Sequence, residues 1–127
     1  MIDMHCHLLP GVDDGVKEMN EAIEIFKEGV KYGVTQYILT PHYRPTKDYI
    51  ETTEELEQRM TLLREALKKN QIDVELFLGR EIDEVKELKK LLENKMVCSM
   101  NDTSYLLVDF GVNQSKISDY VYEAKLL

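Results

Sequence analysis

The decisive stretch of the sequence is QYILT at residues 36–40, a run of β-favouring residues that Pro41 brings to an end. Segments whose apolar residues recur at helical spacing flank it, at residues 19–32 and 52–70. The second of these segments opens with TTEE, the pattern of a capping box. Three further short apolar runs have the character of strands, at residues 2–4, 74–78 and 105–108.

Strands and amphipathic helices therefore alternate along the chain, which predicts an α/β fold of four βα units with a parallel sheet. The first helix is predicted to stop before Gly33. No repeat or linker-like segment interrupts the sequence, so we expect a single domain over residues 1–127. The residues predicted to line the buried helix faces are Met19, Ile23, Phe26 and Val30; Leu56, Met60, Leu63 and Leu67; Val85, Leu88 and Leu92; and Ile117, Tyr120, Val121 and Ala124.

The composition is that of a globular domain, with 43% hydrophobic residues and a formal net charge of −8. The excess of acidic residues argues against nucleic acid as a partner, since phosphate contacts need a basic face. No apolar stretch approaches the roughly 20 residues of a membrane helix, and the start does not resemble a signal peptide. We therefore expect no membrane insertion and a cytoplasmic location. The length of 127 residues is half of the ~250 that a complete (β/α) barrel usually takes.

Metal-binding side chains follow the end of each predicted strand. His5 and His7 come directly after the first strand, and His42 comes after the second. Glu81 follows the third strand and Asp109 the fourth. Because the carboxyl ends of parallel strands open on one face of a sheet, we expect these side chains to converge there. This convergence is the strongest indication of function in the residues themselves.

The spacing of the first histidines favours a metal site. His5 and His7 are two residues apart, so both imidazoles lie on one side of an extended chain and can reach one ion. Asp13 and Asp14 in the following loop offer a further carboxylate. Imidazole and carboxylate together suit Zn, Mn or Fe, and two or more ions about 3.5–4 Å apart are used for displacement at phosphorus. The alternative for each residue is structural, as a turn histidine or a capping carboxylate.

A cysteine-based phosphatase mechanism does not fit the sequence. It requires an arginine six positions after the nucleophilic cysteine. Val12 stands at that distance from Cys6, and Ser104 stands at that distance from Cys98. Cys6 is instead expected to be a small buried side chain.

Two residues that follow His42 are candidates for substrate binding. Arg44 lies near the expected site, where its charge can meet an anionic group. Tyr43 can stack on an aromatic substrate, and packing in the core or at the rim is the alternative for it.

Four motifs occur in the order and spacing of a known family. They are MIDMHCHLLPGVDDG at residues 1–15, TPH at residues 40–42, LGRE at residues 78–81 and LVDF at residues 107–110. On these motifs the chain resembles the PHP (polymerase and histidinol phosphatase) superfamily. Within it, the HxH start combined with VDDG is similar to the manganese-dependent protein-tyrosine phosphatases of Gram-positive capsule and exopolysaccharide loci.

The resemblance implies a distorted (β/α) barrel that holds two to three ions of the Mn²⁺ type, with Fe, Zn, Co or Mg as other candidates. By this match His5 and His7 would hold one ion, and Glu81 would bridge it to a second. Asp109 would occupy a second-ion position at which members of the family usually have glutamate.

Asp14 and His42 complete the implied ligand set and would hold the third ion. The implied substrate is phosphotyrosine on protein, chiefly on the autophosphorylated C-terminal tail of a bacterial tyrosine kinase. The implied mechanism is direct attack by a metal-bound hydroxide without a phospho-enzyme, which agrees with the missing cysteine motif.

Members of the family run to about twice this length, and we expect the chain to correspond to their N-terminal half. Their second half supplies further histidines and an arginine, whereas here no histidine follows His42 and the last arginine is Arg80. We therefore expect about half a barrel, with weakened metal affinity and reduced activity. Half a barrel exposes two sheet edges, through which copies of the chain can associate.

Two other functions stay open at this point. One is another phosphoesterase of the superfamily, such as histidinol-phosphate phosphatase. The other is a non-catalytic truncated remnant that binds metal weakly or assembles through its exposed sheet edges.

Overall fold

The computed structural model describes residues 1–83, 86–111 and 115–127, and it is a mixed α/β structure with parallel sheets. Strands and helices alternate much as the sequence predicts. Among the described residues, no helix is both long and apolar enough to cross a lipid bilayer. The elements are β1 Ile2–Cys6, α1 Met19–Lys31, β2 Gln36–Leu39, β3 His42–Tyr43, α2 Thr53–Lys69, β4 Glu75–Leu78, β5 Glu81–Ile82, α3 Leu88–Glu93, β6 Leu107–Val108 and α4 Ser115–Lys125.

The strands form two parallel sheets rather than one. The first sheet has the order β1-β2-β4, and the second has the order β3-β5-β6. The predicted fourth strand therefore pairs with β5 in the second sheet and not with β4, and it is shorter than predicted. Neither sheet closes on itself in the described part of the chain, so the barrel stays a prediction.

The two-residue strands β3 and β5 are absent from the sequence prediction, which ended the second strand at Pro41. Proline removes one backbone donor, but its carbonyl still accepts a hydrogen bond from the Glu81 N–H at 3.1 Å. On the neighbouring strand, the Gly79 N–H donates to the Leu39 carbonyl at 2.8 Å. The parallel alignment of β2 and β4 therefore continues into β3 and β5, where His42 pairs in register with Glu81.

The main core lies where α1 and α2 pack against the first sheet. The four residues of the α2 stripe are buried as predicted, at 2% exposure or less. On α1, Ile23 and Phe26 are buried, but Val30 in the last turn is 39% exposed, contrary to the prediction. The prediction was wrong there because in the last turn Gly29, and not Val30, faces the first sheet at Tyr37. The buried members of this core are Leu9, Val12, Val16, Ala22, Ile23, Phe26, Tyr37, Leu39, Leu56, Met60, Leu63, Leu67, Leu76 and Leu78.

Local signals at the helix ends are confirmed. Thr52 Oγ1 accepts from the Glu55 N–H at 3.2 Å, and the Glu55 carboxylate accepts from the Thr52 N–H at 2.7 Å. This reciprocal pair is the predicted capping box of α2. Gly33 follows α1 with a φ of 82°, the left-handed conformation in which glycine commonly terminates a helix.

A smaller core lies beside the second sheet, with Ile82 and Leu88 among its buried members. Tyr120 of α4 reaches it and donates its hydroxyl hydrogen bond to the Ile82 carbonyl at 2.9 Å. The predicted burial of the other α4 residues is wrong, since Ile117 and Val121 are 45% and 51% exposed. The helical period was correct, but the helix contacts the domain through a narrower strip. The predicted α3 residue Val85 lies outside the described residues.

Candidate metal centre

One carboxylate oxygen lies among three imidazole nitrogens. Glu81 Oε2 is 3.1 Å from His5 Nε2, 3.1 Å from His7 Nε2 and 3.3 Å from His42 Nδ1. Strand pairing creates this cluster, because His42 and Glu81 are register partners in the second sheet. The first sheet adds His5, which lies within β1 rather than after it as predicted, and His7, which follows β1.

A second carboxylate approaches the same cluster from the loop after β1. Asp14 Oδ1 lies 3.3 Å from His42 Nε2, so both ring nitrogens of His42 face carboxylates. The Asp14 side chain is 61% exposed, which places it at the open side of the cluster. The ring of His7 stacks on that of His42 with a centroid separation of 4.4 Å. The structure thus brings together five of the six metal-binding candidates from the sequence.

The neighbouring residue, Asp13, was named with Asp14 as a source of a carboxylate, but the sequence analysis gave it no role of its own. Its carboxylate is buried and accepts hydrogen bonds from His7 Nδ1 at 3.0 Å, the His42 N–H at 3.0 Å and the Gly15 N–H at 2.9 Å. Burial alone would raise the pKa of Asp13, but these hydrogen bonds outweigh it and hold the pKa below its usual value. The same hydrogen bond raises the pKa of His7 against the effect of burial. The adjacent aspartates offered one signal, two carboxylates in a loop after the HxH pair, but no indication of which one turns inward.

Buried polar atoms without partners show that the cluster fits a cation. His42 Nδ1 and Glu81 Oε2 are buried and have no hydrogen-bond partner among the described residues, although they lie 3.3 Å apart. Leaving such atoms unsatisfied is costly unless an ion or water occupies the space between them. Two groups of side chains have ligand atoms close enough to share one ion, His5 with His7 and Glu81, and His7 with Asp13 and His42. This nitrogen and oxygen donor set suits a divalent transition ion.

Asp109 lies directly after β6, as predicted, but its carboxylate is paired with the guanidinium of Arg44. Its Oδ2 accepts a hydrogen bond from Arg44 Nη2 at 3.0 Å, while Arg44 Nε donates to Asp83 at 3.1 Å. Tyr43 is 6% exposed and packs in the smaller core. The assignment of Asp109 to a metal, and of Arg44 and Tyr43 to substrate, stays a prediction.

Arg80 binds the backbone beside the cluster, and the sequence analysis gave it no role of its own. Its guanidinium is fully buried and donates to the carbonyl of His42 at 3.0 Å and to that of Glu51. It also lies 5.3 Å from the centroid of the Tyr43 ring, within the range of a cation–π contact. Arg80 therefore holds the backbone of β3 in place next to Glu81, its own neighbour in sequence.

Both cysteines are unsuited to nucleophilic attack. Burial, helped by the charge of Asp3, raises the pKa of the Cys6 thiol to about 12. Burial likewise raises the pKa of Cys98 to about 11. A thiol with such a pKa is protonated at neutral pH and is a poor nucleophile. The structure thus agrees with the missing cysteine motif.

A family model described as "Capsular polysaccharide synthesis, CpsB/CapC" matches residues 1–125. The chain belongs to the CpsB/CapC family. Two relatives, named tyrosine-protein phosphatase YwqE of Bacillus subtilis and tyrosine-protein phosphatase CpsB of Streptococcus pneumoniae, are each 33% identical to it. These matches cover 87% and 91% of this chain.

A solved structure has the same fold over the length of this chain. It matches 99% of this chain with a TM-score of 0.85 and 30% identity, and its title describes YwqE and CpsB as "unique metal-dependent tyrosine phosphatases". The chain covers 51% of that solved chain, and 43% and 47% of YwqE and CpsB. It therefore spans about half the length of the relatives that it matches.

Proposed function

We propose that this chain forms a divalent-metal centre for the hydrolysis of phosphotyrosine on proteins. The observation that carries the proposal is the position of Glu81 Oε2 among three imidazole nitrogens, where it is buried and has no hydrogen bond from any described residue. The relatives named as tyrosine-protein phosphatases, and the solved structure titled metal-dependent, support the same chemistry.

In this proposal the ligands divide between two or three ions, which we take to be Mn²⁺, with Fe, Zn, Co or Mg as alternatives. His5 and His7 would hold one ion, and Glu81 would be a ligand of this ion and of a second. The proposed second-ion ligand Asp109 has to exchange its hydrogen bond with Arg44 for the metal.

The third proposed position is supported by the 3.3 Å approach of Asp14 Oδ1 to His42 Nε2. Asp14 is largely exposed and His42 is buried, so an ion between them would lie at the mouth of the cluster.

The reaction is the displacement of tyrosine from phosphorus by water. A divalent ion supplies Lewis-acid stabilisation of the phosphoryl charge and a lowered pKa for a coordinated water. Arg44 lies at the same edge, where its guanidinium can add positive charge beside the phosphate. The bond from phosphorus to the tyrosine oxygen breaks as the bond to the water oxygen forms, and phosphate and tyrosine leave. No phosphoryl group is transferred to the chain, in keeping with the protonated thiols of Cys6 and Cys98.

The cellular setting and the larger architecture are part of the same proposal. We take the substrate to be a phosphorylated bacterial tyrosine kinase in the cytoplasm. We also take the two sheets to be part of a distorted (β/α) barrel. Strands β1 and β4 are the outer members of the first sheet, and β3 and β6 are those of the second; further strands or another copy of the chain would pair at such edges.

Turnover and metal dependence test the proposal together. The chain is assayed with Mn²⁺ on a phosphotyrosine peptide, on p-nitrophenyl phosphate and on histidinol phosphate. We expect metal-dependent hydrolysis of the phosphotyrosine peptide, lost on addition of a chelator, with little turnover of histidinol phosphate. The reverse preference would favour the other phosphoesterase.

The variants Glu81→Gln and His7→Ala identify the site. Both should lose at least 100-fold in turnover, because a metal ligand is removed. Glu75→Gln on the neighbouring strand β4 is the matched control, since its carboxylate is exposed and distant from the histidines. Equal turnover in the wild type and in both site variants, all folded by circular dichroism, would exclude this centre.

A further inference from the structure

Asp13 provides the buried carboxylate of the cluster, at 3% exposure. Its hydrogen bonds from His7, His42 and Gly15 all come from other groups of the protein. Its Oδ2 accepts from two groups, His7 Nδ1 and the His42 N–H, each at 3.0 Å. Its Oδ1 accepts from the Gly15 N–H at 2.9 Å. Two acceptor directions are available on each carboxylate oxygen, so those of Oδ2 are already used.

These hydrogen bonds determine where the proton of His7 resides. An ionised carboxylate can only accept hydrogen bonds. Of the two carboxylates near the ring, that of Asp13 is in hydrogen-bonding geometry with Nδ1, whereas Glu81 Oε2, near Nε2, has no hydrogen bond among the described residues. The neutral His7 ring therefore carries its hydrogen on Nδ1. The lone pair is then on Nε2, which lies 3.1 Å from Glu81 Oε2. This is the nitrogen that faces the proposed ion.

We infer that Asp13 is a positioning residue that fixes the tautomer and ring orientation of His7, rather than a metal ligand itself. The inference rests on the proposed metal centre. To bind an ion through Oδ2, Asp13 would have to release either His7 or the buried His42 N–H. Carboxylates that accept from the second nitrogen of a ligating histidine have this orienting role in metal sites generally.

The same oxygen also connects the two sheets of the cluster. It joins the ring of His7, after β1, to the backbone at the start of β3. The stacked rings of His7 and His42 are thereby held at their 4.4 Å separation. Gly15 permits the loop to return this closely, because a Cβ at that position would collide with the backbone oxygen and Cβ of His7.

The first test reads the tautomer directly, in the metal-free chain and without any assay of activity. The ¹⁵N shifts and long-range couplings of the imidazoles are recorded at alkaline pH, where His7 is neutral. We expect His7 to be the Nδ1–H tautomer in the wild type. A wild-type spectrum with the hydrogen on Nε2 would overturn the inference, whether or not any variant folds.

The second test measures Mn²⁺ affinity by calorimetry. Asp13→Ala should bind Mn²⁺ about 10- to 100-fold more weakly and lose the preference for Nδ1–H. Asp13→Asn keeps one acceptor oxygen and should fall between Asp13→Ala and the wild type. Asp3→Asn is the matched control, because the Asp3 carboxylate accepts the backbone N–H of His5 at 3.1 Å, with no imidazole bond among the described contacts.

The outcomes separate the inference from the proposed function. A folded Asp13 variant with unchanged His7 tautomer and unchanged Mn²⁺ affinity would overturn the inference. A weakening of the same size in Asp3→Asn would do so as well, since the effect would then be one of charge alone. A wild type that does not bind Mn²⁺ would contradict the proposed function, while the tautomer spectrum would still decide the role of Asp13.

Discussion

At the scale of single residues, the site depends on two buried charged groups that face it from different sides. The Asp13 carboxylate accepts hydrogen bonds from backbone and imidazole N–H groups, and the Arg80 guanidinium donates hydrogen bonds to backbone carbonyls. Each meets His42, Asp13 at the N–H and Arg80 at the carbonyl. Because both backbone groups of His42 are held by charged side chains, its ring has a defined position next to Glu81.

Replacing Arg80 should destabilise the whole domain. We expect Arg80→Leu to lower the free energy of unfolding by about 3 kcal/mol, because it leaves the buried carbonyl of His42 and the partly buried carbonyl of Glu51 without this donor. Urea unfolding followed by circular dichroism measures this loss. Arg59→Leu is the control, since Arg59 is exposed on α2, and it should change stability by less than about 0.5 kcal/mol. A similar small change in Arg80→Leu would show that water replaces its hydrogen bonds.

At the scale of elements, α1 approaches β2 closely because a glycine faces a tyrosine. A Cβ at Gly29 would collide with the hydroxyl oxygen of Tyr37 and lie 3.4 Å from its Cζ. The Tyr37 ring is 3% exposed and packs edge-on against Phe26 with a centroid separation of 4.8 Å. The close contact therefore needs glycine in the last turn of α1, although glycine within a helix is otherwise unfavourable.

A double-mutant cycle tests this contact. Gly29→Ala should destabilise the chain by about 1–2 kcal/mol, although alanine is the better helix former by about 1 kcal/mol. In a Tyr37→Phe background the hydroxyl is absent, and the same substitution should be neutral or stabilising. Thermal or urea unfolding of the four chains gives the coupling energy. Equal effects of Gly29→Ala in both backgrounds would contradict the proposed packing.

At the scale of the whole molecule, the proposed metal ligands come from both sheets. His5 belongs to β1 of the first sheet, whereas His42 and Glu81 belong to the second. The two sheets also have separate cores. An ion held between them would add a link that the hydrophobic contacts of either core do not provide.

Metal should therefore stabilise the domain against heat. At a Mn²⁺ concentration 100 times the dissociation constant, binding to the folded state alone adds about 2.7 kcal/mol. We expect a rise in Tm for the wild type and for Glu75→Gln, reversed by a chelator, and a much smaller rise for Glu81→Gln. Calorimetry measures these shifts. A rise of the same size in Glu81→Gln would mean that the ion binds elsewhere.

Helix α2 and the short strands mark the limits of what the sequence could predict. The α2 stripe and its capping box were predictable, because each depends on residues a few positions apart on one helix. Strands β3 and β5 were not, because two residues carry no period and become a strand only through a partner in register. The exposed Ile117 and Val121 show the same limit, since a helical period does not say how much of its face is covered.

The sequence by itself determined which side chains are candidates for binding metal, and the order of the alternating strands and helices that carry them. It could do so because composition, periodicity and motif spacing are local properties. Only the tertiary structure decided that Glu81 meets three histidines, that Asp13 turns inward while Asp14 turns outward, and that Asp109 pairs with Arg44. The physical reason is that these contacts join residues distant in sequence, whose meeting depends on strand register and loop path.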